Sequence, residues 1–371
     1  MMNNNMIRLL TISTTKFELD GITNVIMNYY RTMDKSDMQI DFVIPNIPRK
    51  DLKEEIKRNG GQIYVLGNRM RNPISYVRNL TKLIKERNYD IVHAHGNSCT
   101  LALEMYAAKK GGVNVRISHS HSTTCKYKIA HILLRKMFDA HRTHAFACGQ
   151  KAGEWLYKEE PFEIIKNGIN IEKYRFNEEI RNVYRDKYNL NGKKVIGHVG
   201  HFSYPKNHEF LIKVFSELCK INDNYRLLLV GDGILKQEIE QMVNNMHLSD
   251  MVIFTGKTPN VPQLMQAMDV MVLPSRYEGL PLTLIEAQAA CLPCFVSDTV
   301  SNEVAITDLV NFISLDKPPV EWARIIDSYI YPNRKEKVDK VCNRIIEQGY
   351  SIKDNAVVLK KLYKRYIEER K

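Results

Sequence analysis

Two glutamates eight positions apart are the side chains of this sequence best placed to do chemistry. Glu278 and Glu286 lie in SRYEGLPLTLIEAQAA, residues 275–290. This stretch follows the apolar run VMVLPS, and Pro281 suits the first position of a helix over LTLIEAQAA. Unpaired N–H groups at a helix start attract anions, diphosphate in particular. Because bare carboxylates repel a diphosphate, the pattern favours a ligand with both phosphates and hydroxyls, such as a sugar nucleotide. On spacing alone, two solvated glutamates are the simpler interpretation.

A lysine in IGHVGHFSYPKNHEFLI, residues 196–212, is the second candidate. The strand pattern ends at Gly200, and Lys206 stands where the following helix pattern opens. A lysine beside a helix N-terminus suits phosphate oxygens, and in a sugar-transfer reaction it would stabilise the departing nucleotide diphosphate. His201 flanks this position. An exposed surface lysine is the alternative.

Three short motifs in the same half carry weaker signals. VGDG at 230–233 follows an apolar run and marks a tight turn before a helix. FTGK at 254–257, which contains Thr255 and Lys257, could bring its backbone to a nucleobase. CLPC at 291–294 has the spacing of a redox motif, but it precedes a buried strand pattern, so packing is the better interpretation.

Four histidines in the first half form two pairs at alternate positions. DIVHAHG holds His93 and His95, and RISHSHS holds His119 and His121. Alternate residues of a strand share a face, so each pair could project to one side of a sheet. A histidine pair suggests zinc, but no carboxylate or third histidine stands nearby at a ligand spacing. We therefore predict no metal site.

The loop before the first helix pattern, TTKFELDGITN, contains one glycine, Gly21. Such a glycine lets the backbone come close to a ligand. The Gly-x-Gly-x-x-Gly fingerprint is absent, which disfavours a dinucleotide-dependent dehydrogenase.

The composition is the one expected of a soluble globular chain with two domains. The 371 residues are 44% hydrophobic and 26% charged, without an apolar run long enough to span a membrane or a secretory signal at the start. Seven scattered cysteines fit a reducing cytoplasm better than a disulfide framework. The net charge of +12 lies mostly in the first half, which indicates an anionic partner or serves solubility alone.

Apolar runs that alternate with helical patterns predict the elements that position these residues. The alternation occurs twice and predicts an α/β fold of two Rossmann-like domains, with parallel sheets facing a central cleft. Residues 1–165 would form the first domain, completed by a C-terminal helix at 355–371, and residues 166–354 the second. The polar stretch 166–193 lacks strand alternation and is interpreted as a linker.

In combination, these motifs resemble those of the retaining, GT-B-fold glycosyltransferases of family 4. EGLPLTLIEAQAACLP is similar to that family's Glu-x7-Glu signature. The order of DIVHAHG, SHSHS, IKNGIN, VGHFSYPKNH, LVGDG and the C-terminal helix extends the resemblance over nearly the whole chain. The resemblance implies an enzyme of the bacterial capsular or exopolysaccharide type, with no cofactor and no metal requirement.

The resemblance also implies roles in donor binding. Glu286 would bind the ribose, Glu278 would lie near the donor sugar, and Lys206 would neutralise the diphosphate. His201 stands where the family usually has arginine. The further donor-binding residues would be Gly200, His201, Thr255, Lys257, Gly279, Leu280, Pro281 and Leu282.

In the first half, the resemblance implies a histidine near the transferred sugar. This histidine maps to His119 or His121, and we favour His119. The predicted catalytic residues are then His119, Glu278 and Lys206. This chain has Asp20 where many relatives have the first glycine of a pair, and Cys291 where glycine is common; we expect the second change to affect packing only. The acceptor-binding residues would be Gly21, Asn24, His95 and His121.

We therefore predict retaining transfer of a hexosyl or N-acetylhexosaminyl group from a nucleotide-diphosphate donor, with UDP favoured. The acceptor would be a glycan or polyprenyl-diphosphate-linked oligosaccharide in cell-surface polysaccharide synthesis. The basic segment KYKIAHILLRKMFDAHR, 126–142, would contact an anionic membrane from the cytoplasmic side, unless it is simply a solvated amphipathic helix. A sugar-nucleotide 2-epimerase is the rival enzyme, and a nucleic-acid binder, for which no motif is present, is the non-enzymatic alternative.

Overall fold

The computed structural model describes residues 6–18, 21–67 and 69–370. The chain divides into two compact units. Unit 1 comprises Met1–Gly168 and Ile352–Lys371, and unit 2 comprises Ile169–Ser351. Unit 2 is thus one continuous segment, whereas unit 1 is completed by the end of the chain.

Unit 1 is a seven-stranded parallel sheet with helices in the connections. The strand order is β3-β2-β1-β4-β5-β6-β7, so the order reverses between β1 and β4. The strands are β1 (Ile7–Ser13), β2 (Met38–Ile44), β3 (Ile63–Val65), β4 (Ile91–His95), β5 (Val115–Ser120), β6 (His144–Ala147) and β7 (Glu163–Ile164). The helices are α1 (Gly21–Thr32), α2 (Lys50–Arg58), α3 (Pro73–Arg87), α4 (Ala102–Lys110), α5 (Lys128–Leu133), α6 (Arg135–His141), α7 (Gln150–Tyr157) and, from the end of the chain, α16 (Ile352–Glu368).

Unit 2 repeats this plan with a six-stranded parallel sheet. The order is β10-β9-β8-β11-β12-β13, with the reversal between β8 and β11. The strands are β8 (Lys194–Val199), β9 (Tyr225–Val230), β10 (Val252–Gly256), β11 (Val270–Leu273), β12 (Cys294–Ser297) and β13 (Val310–Ile313). The helices are α8 (Ile171–Tyr174), α9 (Glu178–Lys187), α10 (His208–Ile221), α11 (Lys236–Asn245), α12 (Val261–Ala267), α13 (Leu282–Ala289), α14 (Pro319–Asp327) and α15 (Arg334–Glu347).

The central strands are covered on both faces, which explains their continuous apolar sequences. In β9, for example, Leu227, Leu228 and Leu229 are all fully buried. Strands of parallel sheets lose the apolar–polar alternation because helices pack on either side. The prediction of two Rossmann-like parallel sheets is confirmed. In each such sheet, ligands bind beyond the carboxyl ends of the strands at the point where the order reverses.

The stretch 166–193, which was interpreted as a linker, contains the boundary between the two units, but from Ile169 onward it is a folded part of unit 2. It contains α8 and α9, and Arg185 of α9 is buried. The carboxylate of Asp269 binds Arg181 at 2.5 Å and Arg185 at 3.2 Å, and it accepts the Val195 backbone N–H at 2.7 Å. The charged residues that made this stretch look like a linker therefore anchor it to unit 2.

The C-terminal helix α16 belongs to the core of unit 1. Its residues Leu359 and Tyr363 are buried, and α16 packs against α1. Lys360 forms ion pairs with Asp34 at 2.7 Å and Asp37 at 2.5 Å. Unit 1 therefore depends on the last residues of the chain.

Cys291 adopts a left-handed backbone conformation, with φ of 53°. This region favours glycine because a Cβ atom is crowded there. The prediction that cysteine at this position affects packing only is wrong, since it also strains the backbone. Cys291 and Cys294 are buried free thiols, as expected of packing residues.

The segment 126–142 forms α5 and α6. The apolar side chains of α5 are largely exposed, at 76% for Ile129, 71% for Ile132 and 76% for Leu133. Within the described residues, no helix is both long and apolar enough to cross a membrane. An apolar surface beside Lys126 and Lys128 is the notable feature of this segment.

Candidate active site

The loop after β11 carries Glu278, and the helix α13 that follows it carries Glu286. Pro281 occupies the N-cap position and α13 begins at Leu282, so the proline lies just before the helix and not at its first position as predicted. No side chain caps α13. Leu284 N–H donates to the Pro281 carbonyl at 3.0 Å, so the N–H groups of Leu282 and Thr283 are the first-turn donors left open to an anion among the described residues. Glu278 lies in the loop, where it forms a bridge with Val300, and Glu286 lies one turn into the helix.

Lys206 forms an ion pair with Glu278, although the two residues belong to different loops. Each side chain is only 16% exposed. Lys206 ends the short 3-10 turn Tyr204–Lys206, and α10 begins at His208. The lysine therefore precedes α10 and does not lie in its first turn, which corrects the sequence prediction. The pair brings two predicted site residues together at the switch point between β8 and β11.

Arg276 fastens these two loops to each other. Its backbone N–H donates to the Pro205 carbonyl at 2.7 Å, and its guanidinium donates to the Tyr204 carbonyl at 2.8 Å. The guanidinium also lies 4.2 Å from the centre of the Tyr204 ring. Asn207 adds a hydrogen bond to the Pro274 carbonyl at 3.0 Å. Neither residue was among the predicted site residues, and only their positions near Glu278 and Lys206 in the sequence could have indicated them.

The Glu286 carboxyl interacts with Tyr174 at the end of α8. Burial raises the pKa of Glu286, while the Tyr174 hydroxyl and the nearby Lys173 lower it in part. Burial also raises the pKa of Tyr174, and the charge of Glu286 raises it further. Tyr174 lies in the stretch that had been interpreted as a linker, so sequence analysis did not connect it with Glu286.

Glycines keep the strand ends of unit 2 close together. A Cβ atom on Gly231 would lie 2.0 Å from the Gly200 carbonyl oxygen, and the φ of Gly231 is 145°. A Cβ atom on Gly233 would lie 2.4 Å from the Phe202 carbonyl oxygen. The VGDG turn therefore packs directly on the loop that leads to Lys206. Its glycines are required by this close approach.

The remaining predicted donor-binding residues differ in their surroundings. His201, Lys257 and Gly279 are exposed, whereas Pro281 is buried, and Leu280 and Leu282 pack partly against the core. The Thr255 hydroxyl donates to backbone carbonyls, at 3.3 Å and 3.1 Å. In the described part of the chain, no hydrogen bond or ion pair joins His201 or Lys257 to Glu278.

In unit 1, the two histidine pairs form a single cluster at the carboxyl ends of β4 and β5. His95 lies opposite His119 in the sheet register. The His93 and His119 rings are stacked with an interplanar angle of 6°, and His119 stacks on His121 at 4.2 Å. Hydrogen bonds join His93 to His119 at 3.1 Å and His95 to His121 at 2.9 Å. The structure thus brings His95, His119 and His121 into contact, a cluster that the two separate pairs did not predict.

The imidazoles of the cluster are neutral at physiological pH because burial disfavours their charged form. Burial lowers the pKa of His93 to about 3 and that of His121 to about 4. It also lowers the pKa of His95 and His119 well below the ordinary value. The cluster can therefore offer hydrogen-bond donors and acceptors, but no positive charge.

His93 supplies the third histidine that the sequence analysis did not find near the His119–His121 pair. Nitrogen atoms of His93, His95 and His119 all lie within 4.8 Å of one another, a spacing that could hold a metal ion. Strand pairing brings these residues together from distant parts of the chain, which local ligand spacing could not reveal. The three histidines also line a cavity of about 30 Å³ with Tyr363 and apolar side chains of α1 and α16.

Two further acceptor-side predictions fall at the start of α1. Gly21 is the first residue of α1, and a Cβ atom there would meet no described atom within 4 Å. Asn24 is exposed on the same helix. Asp20, which takes the place of the first glycine of the pair, lies outside the described residues.

Two family models match the chain in adjacent segments. The model described as Glycosyltransferase Family 4 matches residues 19–173, and the model described as Glycosyl transferases group 1 matches residues 180–351. The glycosyltransferase EpsF of Bacillus subtilis, itself described as putative, is 34% identical over 358 residues, which cover 92% of this chain and 93% of the relative. This chain belongs to glycosyltransferase family 4. It is a glycosyltransferase of GT-B type.

A more distant family relative has a described specificity. The UDP-Gal:alpha-D-GlcNAc-diphosphoundecaprenol alpha-1,3-galactosyltransferase of Escherichia coli is 26% identical over 310 residues, covering 76% of this chain and 77% of the relative. Among solved structures, Anabaena Alr3699/HepE in complex with UDP and glucose has a TM-score of 0.76 at 16% identity, covering 96% of this chain and 99% of that chain. WaaG, a glycosyltransferase involved in lipopolysaccharide biosynthesis, has a TM-score of 0.63 at 16% identity, covering 95% and 94% of the two chains. At these identities the structural likeness establishes the fold.

Proposed function

We propose that this glycosyltransferase moves a hexosyl or N-acetylhexosaminyl group from a UDP-sugar to a glycan or polyprenyl-diphosphate-linked oligosaccharide, with retention at the anomeric carbon. The observation that carries the proposal is the ion pair of Lys206 and Glu278 beside the uncapped start of α13. This arrangement provides a cation and backbone N–H groups for a diphosphate, and carboxylates for hydroxyl groups. The UDP complexes of Alr3699/HepE and the UDP-galactose specificity of the Escherichia coli relative support a UDP-sugar donor.

The diphosphate would leave without help from a metal ion in this proposal. The bond from the anomeric carbon to the β-phosphate oxygen breaks with both electrons going to that oxygen. Lys206 and the N–H groups of α13 then stabilise the new negative charge. The acceptor hydroxyl attacks from the same face of the sugar, and its proton passes to the departing phosphate oxygen. Glu286 holds the ribose hydroxyls, so that the donor stays in register.

The acceptor in this proposal is attached to lipid at the cytoplasmic face of the plasma membrane. The exposed side chains of Ile129, Ile132 and Leu133, with lysines beside them, support peripheral contact with anionic lipid. We expect the protein to sediment with vesicles that contain phosphatidylglycerol, and less with vesicles of phosphatidylcholine alone. Changing the three apolar residues to serine should abolish sedimentation, whereas serine at Ile330, an exposed isoleucine of unit 2, should not.

Donor screening tests the core of the proposal. The purified chain is incubated with UDP- and GDP-sugars in EDTA, and binding is followed by thermal shift and calorimetry. We expect a UDP-sugar to bind, and we expect Glu286→Ala to lose that binding. Undiminished affinity in Glu286→Ala would contradict the assignment of the ribose site. Product analysis with a lipid-linked acceptor by NMR then gives the anomeric configuration.

A donor-only incubation separates transfer from the rival 2-epimerase activity. An epimerase converts a UDP-sugar to its 2-epimer without any acceptor, whereas a transferase leaves the sugar configuration unchanged. The appearance of an epimer in the anomeric proton spectrum would decide against the proposal.

A further inference from the structure

A hydrogen-bonded chain links the C-terminal helix to the histidine cluster of unit 1. The Tyr363 hydroxyl of α16 lies 2.7 Å from Nδ1 of His93. Nε2 of His93 in turn lies 3.1 Å from Nδ1 of His119. The three side chains are 2%, 2% and 1% exposed. His119 ends the chain, since its Nε2 atom is buried and has no hydrogen-bond partner among the described residues.

Each member of this chain is almost completely buried, which favours the uncharged form of its side chain, so the protons of the uncharged groups can be counted. A neutral imidazole carries one N–H donor and one lone pair, and a phenol carries one O–H donor. The two observed hydrogen bonds therefore run in the same direction along the chain, and only two proton arrangements are possible.

In the first arrangement, Tyr363 donates to Nδ1 of His93, and Nε2–H of His93 donates to Nδ1 of His119. Only Nε2–H of His119 then remains without an acceptor. In the second, His119 donates to His93, and His93 donates to the Tyr363 oxygen. The buried Tyr363 O–H then has no acceptor in the described structure, and the lone pair on Nε2 of His119 is unused as well. Because each unpaired buried polar group costs free energy, the first arrangement is favoured.

We propose that Tyr363 is a positioning residue that, through His93, fixes His119 in the tautomer with its proton on Nε2. This proposal rests on the proposed function and on the place near the transferred sugar that the family resemblance implies for His119. His119 then presents an N–H donor to a sugar hydroxyl oxygen. It has no lone pair at that position and does not act there as a general base.

Nitrogen chemical shifts test the tautomer directly, because protonated and unprotonated imidazole nitrogens resonate far apart. The full-length protein is labelled with ¹⁵N-histidine, and His119 is assigned by comparison with His119→Gln. We expect Nε2–H in the wild type and a mixture of tautomers in Tyr363→Phe, which removes the donor to His93. A wild-type signal from Nδ1–H, or an unchanged signal in Tyr363→Phe, overturns the proposal.

The matched control is Tyr366→Phe. Tyr366 is on the same helix and is also buried, but its ring stacks on His144 and its hydroxyl contacts Arg365. We expect the control to leave the His119 signal unchanged. Loss of the His119 tautomer in both variants would indicate a general loosening of α16 and would contradict a specific role for Tyr363.

Kinetics supply the second readout, once a donor and acceptor are known. Losing one positioning hydrogen bond should lower kcat roughly tenfold in Tyr363→Phe, with the donor KM unchanged.

Metal analysis of the purified protein is a third readout. One equivalent of a transition metal bound through these histidines would overturn the proton count. If no sugar is transferred at all, the nitrogen shifts still decide the tautomer, so the two proposals fail separately.

Discussion

The ammonium group of Lys206 forms an ion pair with the carboxylate of Glu278 across the loops that follow β8 and β11. Both side chains are only 16% exposed, and removing either partner would leave a poorly solvated charge without its counter-charge. In the proposed reaction, a diphosphate competes for the same ammonium group, which frees the carboxylate for a sugar hydroxyl. The ion pair thus holds the two loops together before the donor arrives.

Replacing Lys206 with methionine tests this role. Because the variant cannot neutralise the departing diphosphate, we expect kcat to fall by about 10²–10³-fold and the affinity for UDP to fall as well. Lys213→Met is the control, since Lys213 lies on the surface of α10 and its ion pair with Glu209 is solvent-exposed. Equal turnover in the two variants would exclude Lys206 from the reaction.

Glu286→Gln should make the protein more stable at neutral pH and should weaken its binding of UDP. Burial raises the folded-state pKa of Glu286 above its unfolded value, so its stabilising contribution is present below the unfolded pKa and is lost as pH rises through the folded pKa. Glutamine does not ionise. We therefore expect the variant to melt at a higher temperature than the wild type at pH 7, and this difference should shrink on acidification. The affinity for UDP should fall at least about tenfold.

The raised pKa of Glu286 also predicts how UDP binding by the wild type depends on pH. The carboxylate form of Glu286 accepts hydrogen bonds from the ribose, so UDP affinity should fall as pH drops through the raised pKa. Calorimetry between neutral and acidic pH measures this. A flat profile in the wild type, parallel to that of Glu286→Gln, would show that Glu286 does not bind the nucleotide in its ionised form.

Tyr174→Phe should weaken UDP binding by about three- to tenfold at neutral pH. The Tyr174 hydroxyl lowers the pKa of Glu286, so its removal leaves the carboxylate easier to protonate. The fall in affinity on acidification should begin at a higher pH than in the wild type. Tyr184→Phe serves as the control because Tyr184 packs on the core of unit 2 from α9.

Gly231→Ala should disturb both stability and donor binding. The added Cβ atom would approach the Gly200 carbonyl oxygen to 2.0 Å, and the backbone at φ 145° disfavours any side chain. We expect a loss of about 2 kcal/mol in the free energy of unfolding, measured by urea denaturation. Gly279→Ala, where a Cβ atom has open space, should leave this free energy unchanged.

Much of the fold was accessible from the sequence because its signals are local. Continuous apolar runs such as VMVLPS and YRLLLVGDG reflect strands covered on both faces, and helical patterns lie between them. The Glu-x7-Glu segment likewise carries its own spacing, and the family models and the EpsF relative confirm the resemblance that it predicted. The predicted positions of Pro281 relative to α13 and of Lys206 relative to α10 were each slightly wrong along the sequence. Helix caps and 3-10 turns depend on backbone geometry that residue types specify weakly.

The missed features depend on contacts between distant residues. Tyr174 approaches Glu286 only after α8 folds onto unit 2, and its polar surroundings suggested a linker. Arg181 and Arg185 lie in the same polar stretch, and they pair with Asp269, which is more than 80 positions away in the sequence. His93 joins His119 through strand pairing and Tyr363 through the return of α16. No local spacing encodes these contacts.

Because α16 packs in unit 1, the two units can finish folding only in a fixed order during translation. As the chain leaves the ribosome, unit 2 is complete once Ser351 has emerged, whereas unit 1 still lacks α16. The surface of unit 1 that α16 covers, beside α1, therefore stays exposed while the whole of unit 2 is translated. A nonsense codon shortly after Ser351 would spare the second unit and leave the first one unfinished, without the tyrosine that reaches its histidines.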